Sequence, residues 1–295
     1  MGRYDRLMDR IAKGDRILID GATGTEIERR GVPQLDNAWN GGGALSHPEV
    51  LCGVHEDYIR EGAEIVISNT FATHRHALCD AGMEHRFEFL NRRGVELAIE
   101  ARERARAPEV LVAGGISYWS WSGNWLEPKD LATGAEEQAF IMAQAGADLL
   151  MLEMMVDVDS LLVTLEAARA SGLPVWVGLS CAPDESGNMV LLRGGALADA
   201  LDVLNDRMVP VVCIMHTEVE DIDPCLDIVD DHWPGPVGVY AHSAQWEGQV
   251  CIFDDTITPA KYAVRARSWL ERGVRIIGGC CGLGVEHIQA LKRIL

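Results

Sequence analysis

The stretch Ile276-Ile277-Gly278-Gly279-Cys280-Cys281-Gly282 lies near the end of the chain, ahead of a segment with helical periodicity. Neighbouring side chains of a strand point to opposite faces, so two adjacent cysteines bind one ion only where the backbone bends. The flanking glycines permit that bend. Cys213, which follows the apolar run 209–212, is the best placed third ligand. Three thiolates on Zn²⁺ leave one tetrahedral position open, which is the arrangement of a catalytic zinc site.

Buried cysteines often act only as small hydrophobic residues. That interpretation suits Cys52 and Cys225 in predicted helices, but not a cysteine pair surrounded by three glycines. The pair therefore indicates a metal site, and thiolate ligands favour zinc. A lone histidine is more often a hydrogen-bonded structural residue than a ligand. Four histidines near predicted strand ends are accordingly not assigned to the metal: His74, His76, His216 and His242.

The same pattern of a short apolar run, a loop and a longer segment of helical period recurs along the whole chain. The predicted strands are Arg16–Asp20, Glu64–Thr70, Val110–Ser117, Ala147–Met154, Pro174–Ser180, Val209–His216, Gly235–Ala241 and Val274–Cys281. The predicted helices lie near 48–62, 84–106, 134–146, 157–171, 194–207, 220–232, 259–272 and 284–295. Eight strands alternating with helices predict an α/β fold, a (β/α)₈ TIM barrel, as a single domain over residues 1–295.

The amino-acid composition and net charge limit the kinds of molecule that this protein binds. The net charge of -19 disfavours nucleic acid and anionic membrane surfaces and suits a cationic small molecule, although an acidic surface also serves solubility. No apolar run approaches the roughly 20 residues of a membrane span, and the charged amino-terminal segment is unlike a signal peptide. The eight cysteines show no disulfide framework, so we expect reduced thiols in a cytoplasmic protein. The assembly state stays open, including a homo-oligomer.

A barrel places its functional side chains where strands end. Strand 1 ends at Asp20, followed by Gly21 and Ala22, and this carboxylate is either an acceptor for a substrate ammonium or a cap of the following helix. Glu153 ends the strongly apolar fourth strand, where a carboxylate needs a partner. That partner is either a cationic substrate group or a structural arginine. Strand 2 ends in further polar and aromatic residues that are candidates for substrate binding: Asn69, Thr70 and Phe71.

Aromatic residues are concentrated after strand 3. Aromatic faces attract cations, including quaternary ammonium and sulfonium groups. The loop either binds such a group or packs its own rings as a lid, and the loop after strand 1 contributes one more ring. The residues concerned are Trp39, Tyr118, Trp119, Trp121 and Trp125.

Together, the Asp20–Thr25 loop, the Ser68–Phe71 segment, Glu153 and the 276–282 stretch resemble the zinc-dependent homocysteine S-methyltransferase family. That family also includes betaine–homocysteine methyltransferase and the homocysteine module of cobalamin-dependent methionine synthase. The most specific part of the resemblance runs from Thr258 past the cysteine pair to Ile288.

The resemblance implies that Cys213, Cys280 and Cys281 bind zinc and carry the catalysis. It further implies that Asp20 and Glu153 hold the homocysteine ammonium, with Gly21 and Ala22 lining that pocket. Bound to the metal, the substrate thiol is deprotonated and attacks the methyl carbon of an onium donor, which gives methionine. No general base is then needed.

Two departures from the family pattern affect these expectations. The family often has Asn before the first zinc cysteine, where this chain has Val212. The betaine-using branch carries tyrosines near the donor, at places that match Ala72 and Met154 here. We therefore expect a sulfonium donor, such as S-methylmethionine or S-adenosylmethionine, ahead of betaine or a corrinoid. Two other hypotheses stay open: a non-catalytic zinc or redox-switch barrel, and transfer to another thiol or selenol.

Overall fold

The computed structural model describes residues 2–247, 250–252 and 256–295. In this part of the chain eight strands form one parallel sheet. They are β1 (Ile17–Leu18), β2 (Ile65–Ile67), β3 (Leu111–Ile116), β4 (Leu149–Met155), β5 (Val175–Leu179), β6 (Val212–Glu218), β7 (Val237–His242) and β8 (Ile276–Ile277). Each lies within or within two residues of a predicted strand.

The sheet closes on itself. Sequential strands pair in parallel from β2 round to β8, and β8 pairs with β1 through Ile17 and Ile276. The last seam is a parallel bridge between Ile19 and Ile65, where the Asp20 amide donates to the Ile65 carbonyl at 3.0 Å. The strands are buried and rich in Val, Ile and Leu, as expected for a parallel sheet that is covered by helices. The predicted TIM barrel is confirmed.

Helices cover the outside of the barrel. They are α1 (Arg3–Ala12), α2 (Thr23–Arg29), α3 (Gly43–Ser46), α4 (Pro48–Arg60), α5 (Arg75–Asp80), α6 (Phe87–Arg104), α7 (Pro128–Ala145), α8 (Val158–Arg169), α9 (Leu197–Asp206), α10 (Ile222–His232), α11 (Pro259–Glu271) and α12 (Val285–Lys292). The eight predicted helices correspond to α4 and to α6 through α12. The short helices α2, α3 and α5 lie in the loops after β1 and β2, and sequence periodicity did not indicate them.

Helix α1 lies across the amino-terminal end of the barrel. Its Arg3 pairs with Asp148 at 3.1 Å, directly before β4, and its Arg6 pairs with Glu109 at 2.5 Å, before β3. The Tyr4 hydroxyl accepts a hydrogen bond from the Trp176 indole at 3.1 Å. Because this end is covered, the open mouth of the barrel lies at the carboxyl ends of the strands.

Two antiparallel hairpins extend that mouth. One joins Cys181–Pro183 to Met189–Leu191 after β5, and the other joins Gln245–Glu247 to Val250–Ile252 after β7. The side chain of Cys251 lies outside the described residues. Among the described cysteines no disulfide forms. No helix of the described chain combines the length and the apolar character needed to cross a membrane.

Candidate active site

A cavity of about 530 Å³ opens at the carboxyl ends of the barrel strands. Residues from the ends of β1, β2, β4, β6, β7 and β8 line it, together with the loops after β1 and β3. Its wall divides into three parts, which are a sulfur and imidazole group, a pair of carboxylates and a set of aromatic rings. Functional residues of this fold are expected at this end of the barrel.

The sulfur and imidazole group consists of His216, Cys280 and Cys281, whose ligand atoms all lie within 4.8 Å of one another. The Cys280 Sγ is 3.8 Å from the Cys281 Sγ and 3.7 Å from the His216 Nδ1. Thiolate and imidazole are ligands that suit zinc. These three side chains at the rim of the cavity are therefore the candidate metal-binding group.

The turn that presents the two cysteines depends on Gly282, which has a φ of +85°. A Cβ atom there would be pressed into the backbone carbonyl oxygen of Ser243. The turn is also fixed from outside, because Tyr262 of α11 donates from its hydroxyl to the Gly278 carbonyl at 2.7 Å. The predicted bend at the glycines is thus present, and it directs both sulfurs toward His216.

Two barrel strands carry a non-glycine residue with positive φ at the mouth. Met154 of β4 has a φ of +58° and His216 of β6 has a φ of +43°. At both places the pairing register with the next strand shifts, as in a β-bulge. Consecutive residues then face the same cavity, Glu153 with Met154 and Met215 with His216. A regular strand would turn one of each pair away.

Cys213 does not belong to the metal-binding group. It lies at the start of β6 with its Sγ against Gly238 and is fully buried. Burial raises the pKa of its thiol, so the sulfur stays protonated. The structure therefore does not bring Cys213 together with Cys280 and Cys281. Cys213 lies three residues before His216, which is at most about 10 Å along the strand at about 3.3 Å per residue.

Asp20 and Glu153 form the carboxylate part of the wall. The Asp20 Oδ2 accepts a hydrogen bond from the Ile67 amide at 2.7 Å. Burial raises the pKa of Glu153 to about 8 and that of Asp20 well above its ordinary value, while the Ile67 amide opposes the shift at Asp20. Gly115 makes room for Glu153, since a Cβ atom there would lie 2.7 Å from Oε2.

Among the described residues, Asp20 does not cap a helix, and no arginine pairs with Glu153. Ala22, not Asp20, is the N-cap of α2, and no side chain caps that helix. No positive charge contributes to the pKa shift of either carboxyl group. Two acidic groups thus border the cavity without a described cationic partner.

Aromatic rings form the third part of the wall. Phe71 lies between two tryptophans, with its centroid 6.3 Å from that of Trp39 and 5.9 Å from that of Trp121, both edge to face. Trp119 also lines the cavity. Four of the predicted aromatic residues, counting Phe71, therefore meet at one side of the mouth.

Two other aromatic residues of the loop after β3 point elsewhere. The Tyr118 hydroxyl accepts from the Val156 amide at 2.9 Å and donates to the Asp157 carbonyl at 3.2 Å, so it ties the loop after β3 to the connection between β4 and α8. Trp125 packs under the Arg193 guanidinium, 3.7 Å from its ring centroid. Neither lines the cavity. The structure therefore does not bring Tyr118 and Trp125 to the cavity with the other rings, because backbone groups and an arginine engage them.

Of the remaining predicted residues, three line the cavity and one does not. Gly21, Ala22 and Asn69 line the cavity, and the Asn69 amide group donates to the Asn40 carbonyl at 3.0 Å. Thr70 is fully buried and donates from its hydroxyl to the Gly115 carbonyl at 2.8 Å. Thr70 does not line the cavity, so the structure does not bring it together with Asn69 and Phe71 there.

The model of the homocysteine S-methyltransferase family matches residues 17–295. The chain belongs to this family. A homocysteine S-methyltransferase of Escherichia coli is 28% identical and is covered over 99% of both chains. The S-methylmethionine–homocysteine S-methyltransferase BHMT2 of Pongo abelii is 24% identical over 98% of this chain and 81% of its own. The crystal structure of metallated MmuM from Escherichia coli superposes with a TM-score of 0.80 at 26% identity, covering 99% of both chains.

Sequence reasoning missed two residues of this homocysteine S-methyltransferase site. His216 was assigned no ligand role, although it ends a predicted strand at the same rim as the cysteine pair. Tyr240 of β7 lines the cavity, and its hydroxyl has no hydrogen-bond partner among the described residues. A buried hydroxyl of this kind is costly unless a ligand or water satisfies it. No pattern in the sequence distinguishes Tyr240 from a core tyrosine.

Proposed function

We propose that this chain transfers a methyl group from a cationic donor to homocysteine, giving methionine, with Zn²⁺ bound at the mouth of the barrel. One observation carries the proposal. A soft metal-binding group lies between two carboxylates that have no described cationic partner and a set of aromatic rings, all around one cavity. Each part matches one portion of the reactants, which are a thiol, an ammonium group and an onium methyl group.

The donor atoms fit zinc, because two thiolates and an imidazole nitrogen are among its usual ligands. Cys280 and Cys281 would hold the ion, together with a third donor from the carboxyl end of β6. When bound, Zn²⁺ lowers the pKa of the substrate thiol, which is about 8.5 in water, so that the sulfur is a thiolate at neutral pH. These three residues would hold the ion and would leave room beside it for that sulfur.

Asp20 and Glu153 would bind the ammonium group of homocysteine. A buried carboxylate is stable only with a partner, and burial raises the pKa of Glu153 to about 8. Pairing with the ammonium favours ionisation of the carboxyl group. The hydroxyl of Tyr240 faces the same cavity and would bind a polar group of the amino acid.

The rings of Trp39, Phe71 and Trp121 would bind the cationic donor. Cations are attracted to aromatic faces by about 0.5–2 kcal/mol for each favourable contact. The relative BHMT2 is named for S-methylmethionine, which agrees with a sulfonium donor. A sulfonium also agrees with Ala72 and Met154 at places where the betaine-using branch has tyrosines.

The residues position the reactants for an in-line displacement. The thiolate sulfur forms a bond to the methyl carbon, while the bond from that carbon to the donor's positive atom breaks. The electron pair of the broken bond returns to the donor, which leaves neutral. The thiol proton is lost to solvent before transfer, so this chain needs no general base. Reduced cysteines are required throughout, which fits a cytoplasmic location.

The proposal is tested by offering the zinc-loaded protein homocysteine with a panel of donors: S-methylmethionine, S-adenosylmethionine and betaine. Loss of free thiol and formation of methionine are followed together. We expect methionine with a sulfonium donor, and a loss of activity in Cys281→Ser but not in Cys79→Ser, which changes an exposed cysteine. No methionine with any donor, from protein with zinc bound, would contradict the proposal.

A further inference from the structure

We infer that His216 is the third metal ligand of this chain, which gives a Cys₂His set in place of the three cysteines that the family resemblance implies. The inference rests on the metal site of the proposed function and deepens it. From the sequence alone, His216 is interpreted as a hydrogen-bonded structural residue and not as a metal ligand.

The distances between the donor atoms agree with this assignment. Zinc bonds of about 2.3 Å to sulfur and about 2.05 Å to nitrogen, at tetrahedral angles, place two sulfurs about 3.8 Å apart and a sulfur and a nitrogen about 3.6 Å apart. The structure has 3.8 Å between the Sγ atoms of Cys280 and Cys281 and 3.7 Å between the Cys280 Sγ and the His216 Nδ1. Two of the three donor pairs are thus already spaced as ligands of one ion, and the third pair lies within 4.8 Å.

The backbone of β6 is shaped for this role. His216 has a φ of +43°, which non-glycine residues rarely adopt and which persists where the surrounding structure enforces it. The register shift between Met215 and Glu218 turns its imidazole toward the cavity instead of the helical layer. Without this bulge, the alternation of side chains would leave Met215 inside and His216 outside.

A second histidine holds the imidazole in place. The ring of His242 packs 4.3 Å from the ring of His216, and its Nε2 lies 2.9 Å from a Glu218 carboxylate oxygen. The packed ring of His242, with its Glu218 partner, thus borders the imidazole of His216.

Cys213 is excluded on the same geometry. Its sulfur is fully buried against Gly238 and does not line the cavity. Its sulfur does not belong to the group of donor atoms that lie within 4.8 Å of one another. His216 already occupies the corresponding place at the mouth.

The assignment changes the charge of the site. Two thiolates and a neutral imidazole balance the charge of Zn²⁺, whereas three thiolates leave a net charge of −1. The substrate thiolate then adds its charge to a neutral centre. This favours its binding beside the carboxylates of Asp20 and Glu153, since like charges repel strongly in a buried site.

X-ray absorption at the zinc edge counts the ligands directly. The protein is loaded with one equivalent of Zn²⁺, with a phosphine as the reductant so that no added thiol contributes sulfur. We expect two sulfur neighbours and the outer-shell scattering of an imidazole. His216→Cys should retain zinc and show three sulfurs without imidazole. His216→Ala should lose zinc to a competing chelator with an affinity lower by roughly 100-fold or more, because even outer partners of ligands are worth about 10–100-fold.

Cys213→Ala is the matched control on the same strand, and we expect its zinc affinity and spectrum to be unchanged. Three sulfurs in the unmodified protein, or zinc lost from Cys213→Ala but kept by His216→Ala, would overturn the inference. A Cys₂His spectrum from a protein that makes no methionine would leave the inference intact and contradict the proposed function. Methionine formation by a protein whose zinc has three sulfur neighbours would support the proposed function and overturn the inference.

Discussion

The Nδ1 of His216 lies 3.7 Å from the Sγ of Cys280, across the mouth of the barrel between β6 and the turn after β8. The two residues are 64 positions apart in the chain. Closure of the parallel sheet brings them together, and the bulge in β6 aims one at the other. The candidate metal-binding group thus depends both on the closure of the sheet and on the bulge in β6.

Loss of either cysteine of the pair should remove the metal. Cys280→Ser replaces a soft sulfur by a hydroxyl that binds zinc poorly. We expect zinc content after dialysis, measured by mass spectrometry, to fall to a small fraction of one ion per chain, with methyl transfer reduced at least roughly 100-fold. Cys79→Ser is the control. Full zinc occupancy in Cys280→Ser would show that the ion binds elsewhere.

Gly282 should be intolerant of a side chain. Gly282→Ala adds a Cβ atom at a φ of +85° and presses it into the Ser243 carbonyl oxygen. We expect a loss of about 1–3 kcal/mol in the free energy of unfolding, together with weaker zinc binding. Gly187→Ala is a matched control, because Gly187 has the same φ of +85° with nothing within 4 Å of the added Cβ. Equal effects of the two changes in denaturant unfolding would refute the close approach.

The pKa of Glu153, which burial raises to about 8, should appear in the binding of the product methionine. Methionine has an ammonium group that stays charged between pH 6 and 8, and it has no thiol to titrate. Below pH 8 the carboxyl group is protonated in the free protein and must release that proton to pair with the ammonium. We therefore expect the Kd to rise as pH falls from 8 to 6, by up to about tenfold per unit for one proton.

Glu153→Gln should remove this part of the pH dependence and weaken binding at pH 8. The pKa of Asp20 is also raised by burial, so a residual slope belongs to it. Tyr240 and Cys213 stay neutral in this range, because burial raises the pKa of each above its ordinary value. An unchanged slope in Glu153→Gln, measured by calorimetry, would assign the titration to another group.

The aromatic side of the cavity should control the methyl donor and not the acceptor. Trp121→Ala removes a ring that lines the cavity, and we expect the KM of the sulfonium donor to rise roughly tenfold, which corresponds to about 1.4 kcal/mol. The KM of homocysteine should change little. Trp125→Phe, in the same loop but outside the cavity, is the control. An equal rise in both KM values for Trp121→Ala would indicate a general disturbance of the loop.

Much of this architecture was predictable from local pattern. The apolar runs that became β3, β4 and β5 are continuous because these strands are buried on both faces, so their positions follow from hydrophobicity alone. The placement of Asp20, Glu153 and the cysteine pair at one rim then follows from the barrel itself. These predictions required only that strand ends be located within a few residues.

The third donor that we infer, His216, could not be obtained in this way. Its identity depends on a bulge in β6 that reverses the alternation of side chains after Met215, and a bulge is set by pairing with β7, not by local sequence. Cys213 was the natural choice by residue type, but a regular strand leaves it too deep. The same limit applies to Tyr118 and Trp121, whose opposite directions in one loop depend on the neighbours each finds in the folded chain.

The most direct test of the account is the zinc-edge absorption spectrum of the loaded protein before and after addition of homocysteine, with no other thiol present. The account predicts that one further sulfur neighbour appears at about 2.3 Å while the protein ligands stay bound. A spectrum that does not change at saturating homocysteine would contradict it, because the ion would then have no open position for the substrate thiolate.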